Sequence, residues 1–187
     1  MFALGTPRSK SRYVNEVLKP HPNMKMLDVG CGPGHILDYL PPLEYTGIDL
    51  NRKHIAFATE RYGNRGRFMV GNAADDLKQE AGAFDIINVS ALLHHMSDDE
   101  CTSLFRALKP LLKPNGRILT FDNVWLPKQR AIAKMINSLD SGLNIRTPES
   151  YILLTDGLSL DVETKVFHDL LRIPYDHFVM ILTNRSE

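Results

Sequence analysis

The chain has 187 residues, of which 43% are hydrophobic and 24% charged, and its 22 basic side chains balance its 22 acidic ones. This length predicts one globular domain, residues 1–187, with a sizeable core. The zero net charge gives no global attraction to nucleic acid or to an anionic membrane surface. No apolar run is long enough for a signal peptide or a membrane span, so we expect a cytoplasmic protein.

Short apolar runs alternate with helical patterns along the first two thirds of the chain. Such runs are typical of strands that are buried on both faces of a parallel sheet. The predicted strands are Lys25–Gly30, Tyr45–Asp49, Arg67–Val70, Phe84–Ser90 and Arg117–Asp122.

Crossover helices are predicted between these strands. Pro33 is well placed near the start of a helix that carries Ile36, Leu37 and Leu40. Asn51 can cap a second helix, which ends near Gly63. The clearest helix begins at Ser97, where the sequence SDDE matches a capping box and Cys101 opens an apolar stripe at helical spacing.

The last third predicts a different arrangement. Asp161–Phe167 alternates in polarity, and Phe178–Thr183 is a continuous apolar run only a short turn later. Two strands this close in sequence leave no room for a helical crossover and must pair antiparallel. The predicted fold is therefore an α/β sheet of seven strands, mostly parallel, with helices on both faces and an antiparallel C-terminal hairpin.

The segment MLDVGCGPGHI places Gly30, Gly32 and Gly34 between the first strand and the predicted helix. Such a turn exposes backbone N–H groups at a helix start and lets a nucleotide approach the backbone closely. The dinucleotide fingerprint requires its third glycine at position 35, where this chain has His35, so NAD is disfavoured.

Asp49 ends the second strand, 19 residues after Gly30. A carboxylate at this place can accept hydrogen bonds from both ribose hydroxyls of an adenosine. The alternative is that Asp49 only caps the following helix.

Five motifs resemble, in order and at ordinary spacing, those of the class I S-adenosylmethionine-dependent methyltransferases of the small-molecule type. The motifs are LDVGCGPG (residues 27–34), GIDL (47–50), FMVGNAADDL (68–77), FDIINVSALLHHM (84–96) and LKPNGRILTFD (112–122). The resemblance implies a Rossmann-like seven-stranded sheet, with S-adenosylmethionine as methyl donor and S-adenosylhomocysteine as product.

The resemblance also implies roles for residues around the glycine turn. Gly30 and Gly32 would let the backbone approach the methionine part of the cofactor, and Asp28 would support the turn. Asp49 would hold the ribose, and Leu50 would pack on the adenine.

Three further positions belong to the implied cofactor site. Asn72 stands where the family usually has an acidic residue, and its amide oxygen can still accept from the adenine amino group, while the N–H of Ala73 can donate to the ring. Ser90 would face the sulfonium at the end of the fourth strand. Cys31 lies inside the glycine motif and is interpreted as a small buried side chain rather than a reactive thiol.

The implied chemistry is direct displacement at an activated methyl carbon, which needs alignment, exclusion of water and removal of a proton from the acceptor. His94 and His95 are the candidate catalytic bases, although a histidine at such a junction is often a packing residue. No third ligand recurs at metal-binding spacing, so we expect no metal. The fourth motif lacks the Asn/Asp-Pro-Pro-aromatic signature, which disfavours nucleobase amines as acceptors.

Acceptor recognition is expected from segments outside the core, namely residues 1–23 as an N-terminal segment and residues 123–160 as a substrate lid. The lid contributes Arg146 and Tyr151 as candidates. The link between the last two strands leaves the carboxyl edge of the sheet, and it adds Arg172, Tyr175 and His177. A solvent-exposed hairpin turn is the alternative for this link.

The sequence thus favours methyl transfer to a small-molecule or carrier-bound acceptor. The alternative is a catalytically silent adenosyl-binding scaffold or regulatory subunit. A nicotinamide oxidoreductase is opposed by His35 and by the closing hairpin. The acceptor and the oligomeric state stay open.

Overall fold

The computed structural model describes residues 6–139, 142–168, 170 and 175–185. Seven strands form one sheet in the order β3-β2-β1-β4-β5-β7-β6. The strands are β1 Lys25–Val29, β2 Glu44–Asp49, β3 Gly66–Val70, β4 Phe84–Ser90, β5 Leu112–Asn123, β6 Leu160–Phe167 and β7 His177–Asn184.

Six α-helices lie in the described part of the chain. They are α1 Pro7–Tyr13, α2 Arg52–Tyr62, α3 Ala73–Asp76, α4 Asp98–Leu108, α5 Ala131–Leu139 and α6 Pro148–Leu153. A π-helical turn, Val14–Leu18, continues α1, and single 3₁₀ turns occupy His35–Asp38, Leu93–His95 and Lys109–Leu111. No helix among the described residues is long and apolar enough to cross a bilayer.

The strand pairing confirms the predicted sheet. Strands β1 to β5 pair in parallel, whereas β7 is antiparallel to both β5 and β6. The carboxyl ends of the parallel strands therefore share one edge of the sheet. His177, the first residue of β7, pairs with Asn123 of β5 and with Phe167 of β6, so the hairpin link leaves from this same edge.

Two hydrophobic clusters cover the two faces of the sheet. Leu27 packs with the buried side of α4, while Met26, its neighbour in β1, packs with the N-terminal helical segment. Successive residues of a strand point to opposite faces, so an apolar run supplies both clusters. This double burial explains why the strands are apolar throughout.

The predicted capping box at the start of α4 is present. Ser97 and Glu100 satisfy each other's backbone N–H groups, and Cys101 is fully buried in the core. The helix predicted from Asn51 runs as α2, with the Asn51 side chain accepting from the N–H of Lys53.

The prediction of a crossover helix that begins near Pro33 and carries Ile36, Leu37 and Leu40 is wrong. Only the four-residue 3₁₀ turn His35–Asp38 forms there. Gly34 adopts a left-handed conformation at φ 73°, which stops helix geometry from extending backwards. Two prolines at positions 41 and 42 prevent extension in the other direction.

A substitution at Ile87 tests whether the centre of the sheet is buried. Its side chain is fully buried in β4, so Ile87→Ala is expected to lower the free energy of unfolding by about 2–5 kcal/mol, through lost burial and a residual cavity. The matched control is Ile132→Ala, because Ile132 is 51% exposed on α5. Urea unfolding measures both, and equal losses would contradict the placement of Ile87.

Candidate functional site

The glycine turn follows β1 at the carboxyl edge. Gly30, Gly32 and Gly34 all have positive φ values, of 70°, 55° and 73°, a region that side-chain-bearing residues rarely adopt. The N–H groups of Gly30 and Cys31 donate to the carbonyl of Ile48 in β2, at 2.8 and 3.2 Å. A Cβ atom on Gly32 would meet no atom within 4 Å, so this part of the backbone faces open space.

Asp49 joins the end of β2 to the glycine turn. Its Oδ2 accepts a hydrogen bond from the N–H of Gly32 at 2.8 Å, and its Oδ1 accepts from the N–H of Asn51 at 2.7 Å. The carboxylate therefore lies against the turn as well as at the start of α2. Contact between Asp49 and a ribose stays a prediction.

A cavity of about 490 Å³ opens beside these two features. This volume falls within the usual range for small-molecule sites. Of the residues predicted to bind cofactor or to act in catalysis, six line it: Gly30, Asp49, Leu50, Asn72, Ala73 and His95. Residues far apart in sequence thus meet in one place, because each follows a strand of the same sheet.

The far wall of the cavity is built by the turn after β3. Asn72 caps α3 through its side-chain oxygen, which accepts from the N–H of Ala74 at 3.1 Å. Ala73 is buried, whereas Leu50 on the opposite wall is 78% exposed. A large apolar side chain open to solvent at a cavity rim can gain burial when a planar ring enters.

A buried hydrogen-bond network lies behind the glycine turn. The Asp28 carboxylate accepts from the Tyr45 hydroxyl at 2.6 Å and from the Asn88 amide at 2.7 Å. Asn88 Oδ1 accepts from the hydroxyls of Tyr13 and Ser90, at 2.6 and 2.8 Å. Burial raises the pKa of Asp28 to about 6 against the effect of its two donors.

Tyr13 contacts Ser90, a predicted cofactor-binding residue, and was not singled out from the sequence. Its hydroxyl lies 2.7 Å from the Oγ atom of Ser90, and its side chain is fully buried. Burial raises the pKa of this phenol, which therefore stays protonated. Thr6 followed by Pro7 is a helix-start signal that could have placed Tyr13 on the inner side of a helix.

His94 and Asp122 form a buried pair on the opposite face of the sheet. The Asp122 Oδ1 atom accepts from the His94 backbone at 3.2 Å and lies 2.8 Å from His94 Nδ1. The other oxygen, Oδ2, is buried and has no hydrogen-bond partner among the described residues. The ring centroid of His95, which lines the cavity, lies 4.1 Å from that of His94.

Asp122 was not singled out from the sequence. The available signal is its position at the end of an apolar strand, the same position that identified Asp49. In the described part of the chain, no three His, Cys, Asp or Glu side chains group together as metal ligands would.

The hairpin link contributes an aromatic group at the same edge. His177 stacks on Phe121 with ring centroids 4.5 Å apart, and Tyr175 meets His177 edge-on at 4.9 Å. Tyr175 and His177 are both buried, and burial lowers the pKa of His177 to about 4. Arg172 lies outside the described residues.

Arg146 and Tyr151, the two candidates from residues 123–160, both take part in buried contacts. The Arg146 guanidinium donates to the carbonyls of Leu93 and Met96, at 2.9 and 2.7 Å, and to Asp98 at 2.8 Å. The Tyr151 hydroxyl donates to the carbonyl of Asn123 at 2.9 Å. Arg146 thus holds the 3₁₀ turn that carries both histidines, and contact with an acceptor stays a prediction for both residues.

Cys31 is partly buried inside the glycine turn. Its Sγ atom lies 3.5 Å from the carbonyl oxygen of Gly32, and burial raises the pKa of the thiol. A thiol held protonated is a poor nucleophile, which favours the interpretation of Cys31 as a packing residue.

The sheet order, glycine turn and strand-end carboxylate define a Rossmann-like nucleotide-binding protein. Residues 26–116 match a family described as a methyltransferase domain. This matched part of the chain is a methyltransferase domain similar to those of the class I S-adenosylmethionine-dependent methyltransferases. The methyl donor of this family is S-adenosylmethionine.

Three similar proteins illustrate the match. The ubiquinone biosynthesis O-methyltransferase of Xanthomonas axonopodis pv. citri (strain 306) is 32% identical over 111 residues, which cover 57% of this chain and 45% of that protein. Phosphoethanolamine N-methyltransferase 3 of Arabidopsis thaliana is 33% identical over 118 residues, which cover 60% of this chain and 24% of that protein. The chain therefore spans less than half the length of these relatives.

The third is a solved structure, the geranyl diphosphate C-methyltransferase of Streptomyces coelicolor A3(2). It aligns with a TM-score of 0.72 over 95% of this chain and 76% of that one, at 17% identity. At this identity the likeness shows the fold alone.

The low pKa of His177 predicts a pH-dependent stability. As pH falls below about 6.5, the unfolded chain protonates this imidazole, whereas the native protein does so only near pH 4. The neutral His177 side chain thus makes its whole contribution to the free energy of unfolding above pH 6.5. This contribution is lost as the pH falls toward 4, and the loss reaches ~3 kcal/mol. In urea unfolding at several pH values, His177→Gln is expected to lose less stability over this window.

The control for this measurement is His21→Gln, because His21 is exposed. Its pH profile should match that of the unaltered chain. Identical profiles for all three proteins would contradict the burial of a neutral His177.

Proposed function

We propose that this chain transfers the methyl group of S-adenosylmethionine to a small-molecule or carrier-bound acceptor by direct displacement. The observation that carries the proposal is the cavity of about 490 Å³ bounded by the glycine turn and Asp49, with the His94–Asp122 pair at the same sheet edge. The proposal thus combines a nucleoside site in the cavity with a buried proton acceptor at the same edge of the sheet.

The residues present fit the cofactor. Asp49 would accept from the ribose hydroxyls, and the open backbone at Gly32 leaves room for close approach of the methionine part. Leu50 would cover the adenine, with Asn72 and the N–H of Ala73 at the ring edge. When bound, S-adenosylmethionine supplies a methyl group that is activated by the positive charge on sulfur.

Ser90 and Tyr13 would position the reacting groups. The Ser90 hydroxyl is held between Asn88 and Tyr13, so it cannot rotate freely. Tyr13 closes this side of the site with a side chain that is itself fully buried, which excludes water from the region next to Ser90. These two residues align the acceptor and keep the pocket dry rather than react with it.

His94 is the base that this geometry favours. With its Nδ1–H donated to Asp122, the basic lone pair of the imidazole lies on Nε2, and the carboxylate stabilises the ring once it takes a proton. His95, which lines the cavity, would form the wall between this base and the nucleoside. The proton lost by a hydroxyl or amine acceptor would pass to His94.

The acceptor site would lie on the side of β5 and β7. Tyr175 and His177 are buried beside Phe121 at this edge, and His177 Nδ1 has no hydrogen-bond partner among the described residues. These features favour an acceptor molecule that forms a hydrogen bond with His177 Nδ1 and packs against the surrounding aromatic rings. The relatives are named for methyl transfer to oxygen, nitrogen and carbon, so similarity leaves the acceptor atom open.

Asp49 tests the cofactor site. Calorimetry is expected to detect binding of S-adenosylhomocysteine and no binding of NAD. Asp49→Ala should weaken S-adenosylhomocysteine binding by about 1.5–3 kcal/mol, the loss expected when hydrogen bonds to a charged acceptor are removed. Asp161→Ala is the matched control, because the Asp161 side chain is exposed on the edge strand β6. Equal affinity for both variants would mean that Asp49 only holds the backbone of Gly32 and Asn51 in place and does not contact the ligand.

A substitution at His94 tests its proposed role as the catalytic base. In His94→Asn, the amide nitrogen can still donate to Asp122, but the base is gone, so kcat should fall by about 10²–10⁴ with an acceptor that loses a proton. Release of S-adenosylhomocysteine is measured across a panel of phenols, amines, carboxylates and thiols. Unchanged S-adenosylhomocysteine affinity would show that the variant is folded.

The same panel separates catalysis from the scaffold alternative. Cofactor binding without turnover of any class of acceptor would favour an adenosyl-binding scaffold. Turnover that His94→Asn leaves intact would contradict the role of His94 and retain the proposal of methyl transfer.

A further inference from the structure

Helix α5 presents an apolar face to solvent. Ile132, Met135 and Leu139 are 51%, 56% and 78% exposed. Their spacing of three and four residues places them on one side of the helix. Three large apolar side chains on one exposed helix face are uncommon unless something covers them.

The opposite side of α5 is fixed to the protein. Ala133 and Asn137 are buried, and the Asn137 amide donates to the carbonyl of Val124 at 2.9 Å. Gln129, just before the helix, donates to the same carbonyl at 3.0 Å. These contacts fix the orientation of α5 about its own axis. The apolar face is therefore held toward solvent.

The same segment is locally basic. Lys128, Arg130 and Lys134 are exposed, and residues 123–139 contain no Asp or Glu. A chain of zero net charge thus carries a patch of three positive charges around an exposed apolar face. An amphipathic helix with this combination is typical of proteins that lie on a membrane surface.

We propose that α5, with Lys128 and Arg130 before it, binds peripherally to the surface of an anionic phospholipid bilayer. The apolar face would enter the interface between headgroups and acyl chains, and the three cations would meet lipid phosphates. A second copy of the chain fits this face less well. A two-fold contact through α5 would bring the two sets of positive charges together, and three side chains offer far less than the ~800 Å² per partner of a stable interface.

Docking through α5 would also orient the site. The helix is anchored to Val124, directly after the end of β5, and β5 ends at the carboxyl edge that carries Asp122. The bilayer would therefore lie close to the edge of the sheet from which an acceptor enters. This last step rests on the proposed function, whereas the docking itself does not.

Vesicle flotation of the full chain tests the proposal. Vesicles of phosphatidylglycerol and phosphatidylcholine in equal parts should bind the chain, and pure phosphatidylcholine should bind it much less. The triple variant I132S/M135S/L139S should bind about tenfold more weakly or worse. Replacing Lys128, Arg130 and Lys134 by Gln should cost about fivefold per charge, and binding should fall at ~0.5 M salt.

Matched controls come from α2, which lies with the β2–β3 side of the sheet. F57S replaces an apolar side chain that is 43% exposed there, and R52Q/K53Q/R61Q removes three exposed cations. Both controls should bind vesicles as the unaltered chain does. Fluorescence of Trp125, the single tryptophan, gives a second readout near α5.

Three outcomes would overturn the proposal. The first is no binding to anionic vesicles, and the second is equal binding by the α5 variants and the α2 controls. The third is lipid-free self-association that I132S/M135S/L139S abolishes, which would assign the face to a second copy. None of the three outcomes bears on the proposed methyl transfer, because that proposal is tested separately, by calorimetry of ligand binding and by turnover of acceptors.

Discussion

The buried carboxylate of Asp28 is the interaction on which the site depends. It lies in β1 and accepts hydrogen bonds from Tyr45 of β2 and Asn88 of β4, so it joins three adjacent strands just before the glycine turn. Asn88 extends the network to Ser90 and to Tyr13 of α1. Removing the carboxylate would leave buried donors unsatisfied, at about 1–3 kcal/mol each. The glycine turn, the Ser90 hydroxyl and the N-terminal helix thus share one support.

The alternation of side chains along the strands divides the chemistry between the two faces of the sheet. The Asp28 network lies on the face that packs against α1, whereas Asp122 and His94 lie on the other face, toward α4. Both meet at the carboxyl edge, where the parallel strands end. An adenosine site and a proton acceptor can therefore sit close together without sharing residues, and each can be altered separately.

Much of this arrangement can be predicted from the sequence, because it follows from local pattern. Apolar runs give most strands to within one or two residues, although β5 begins at Leu112, five residues before the predicted Arg117. The SDDE capping box gives α4, and the short link gives the antiparallel hairpin. Most of the features that the sequence does not predict depend on contacts between residues far apart in the chain. The turn after Gly34 is too confined between a left-handed glycine and two prolines to form an α-helix. The contacts of Tyr13 and Arg146 come from residues 75 and 53 positions away, Asn88 and Leu93, and no local pattern reports them.

A crystal structure of the full chain with S-adenosylhomocysteine tests most directly whether the glycine turn and Asp49 hold the nucleoside. The adenosine is expected in the cavity of about 490 Å³, with its ribose hydroxyls on Asp49 and its adenine between Leu50 and Asn72. The sulfur atom is expected beside Ser90, on the side that leads to His94. Electron density for the ligand away from the glycine turn, or a ribose without contact to Asp49, would contradict this account.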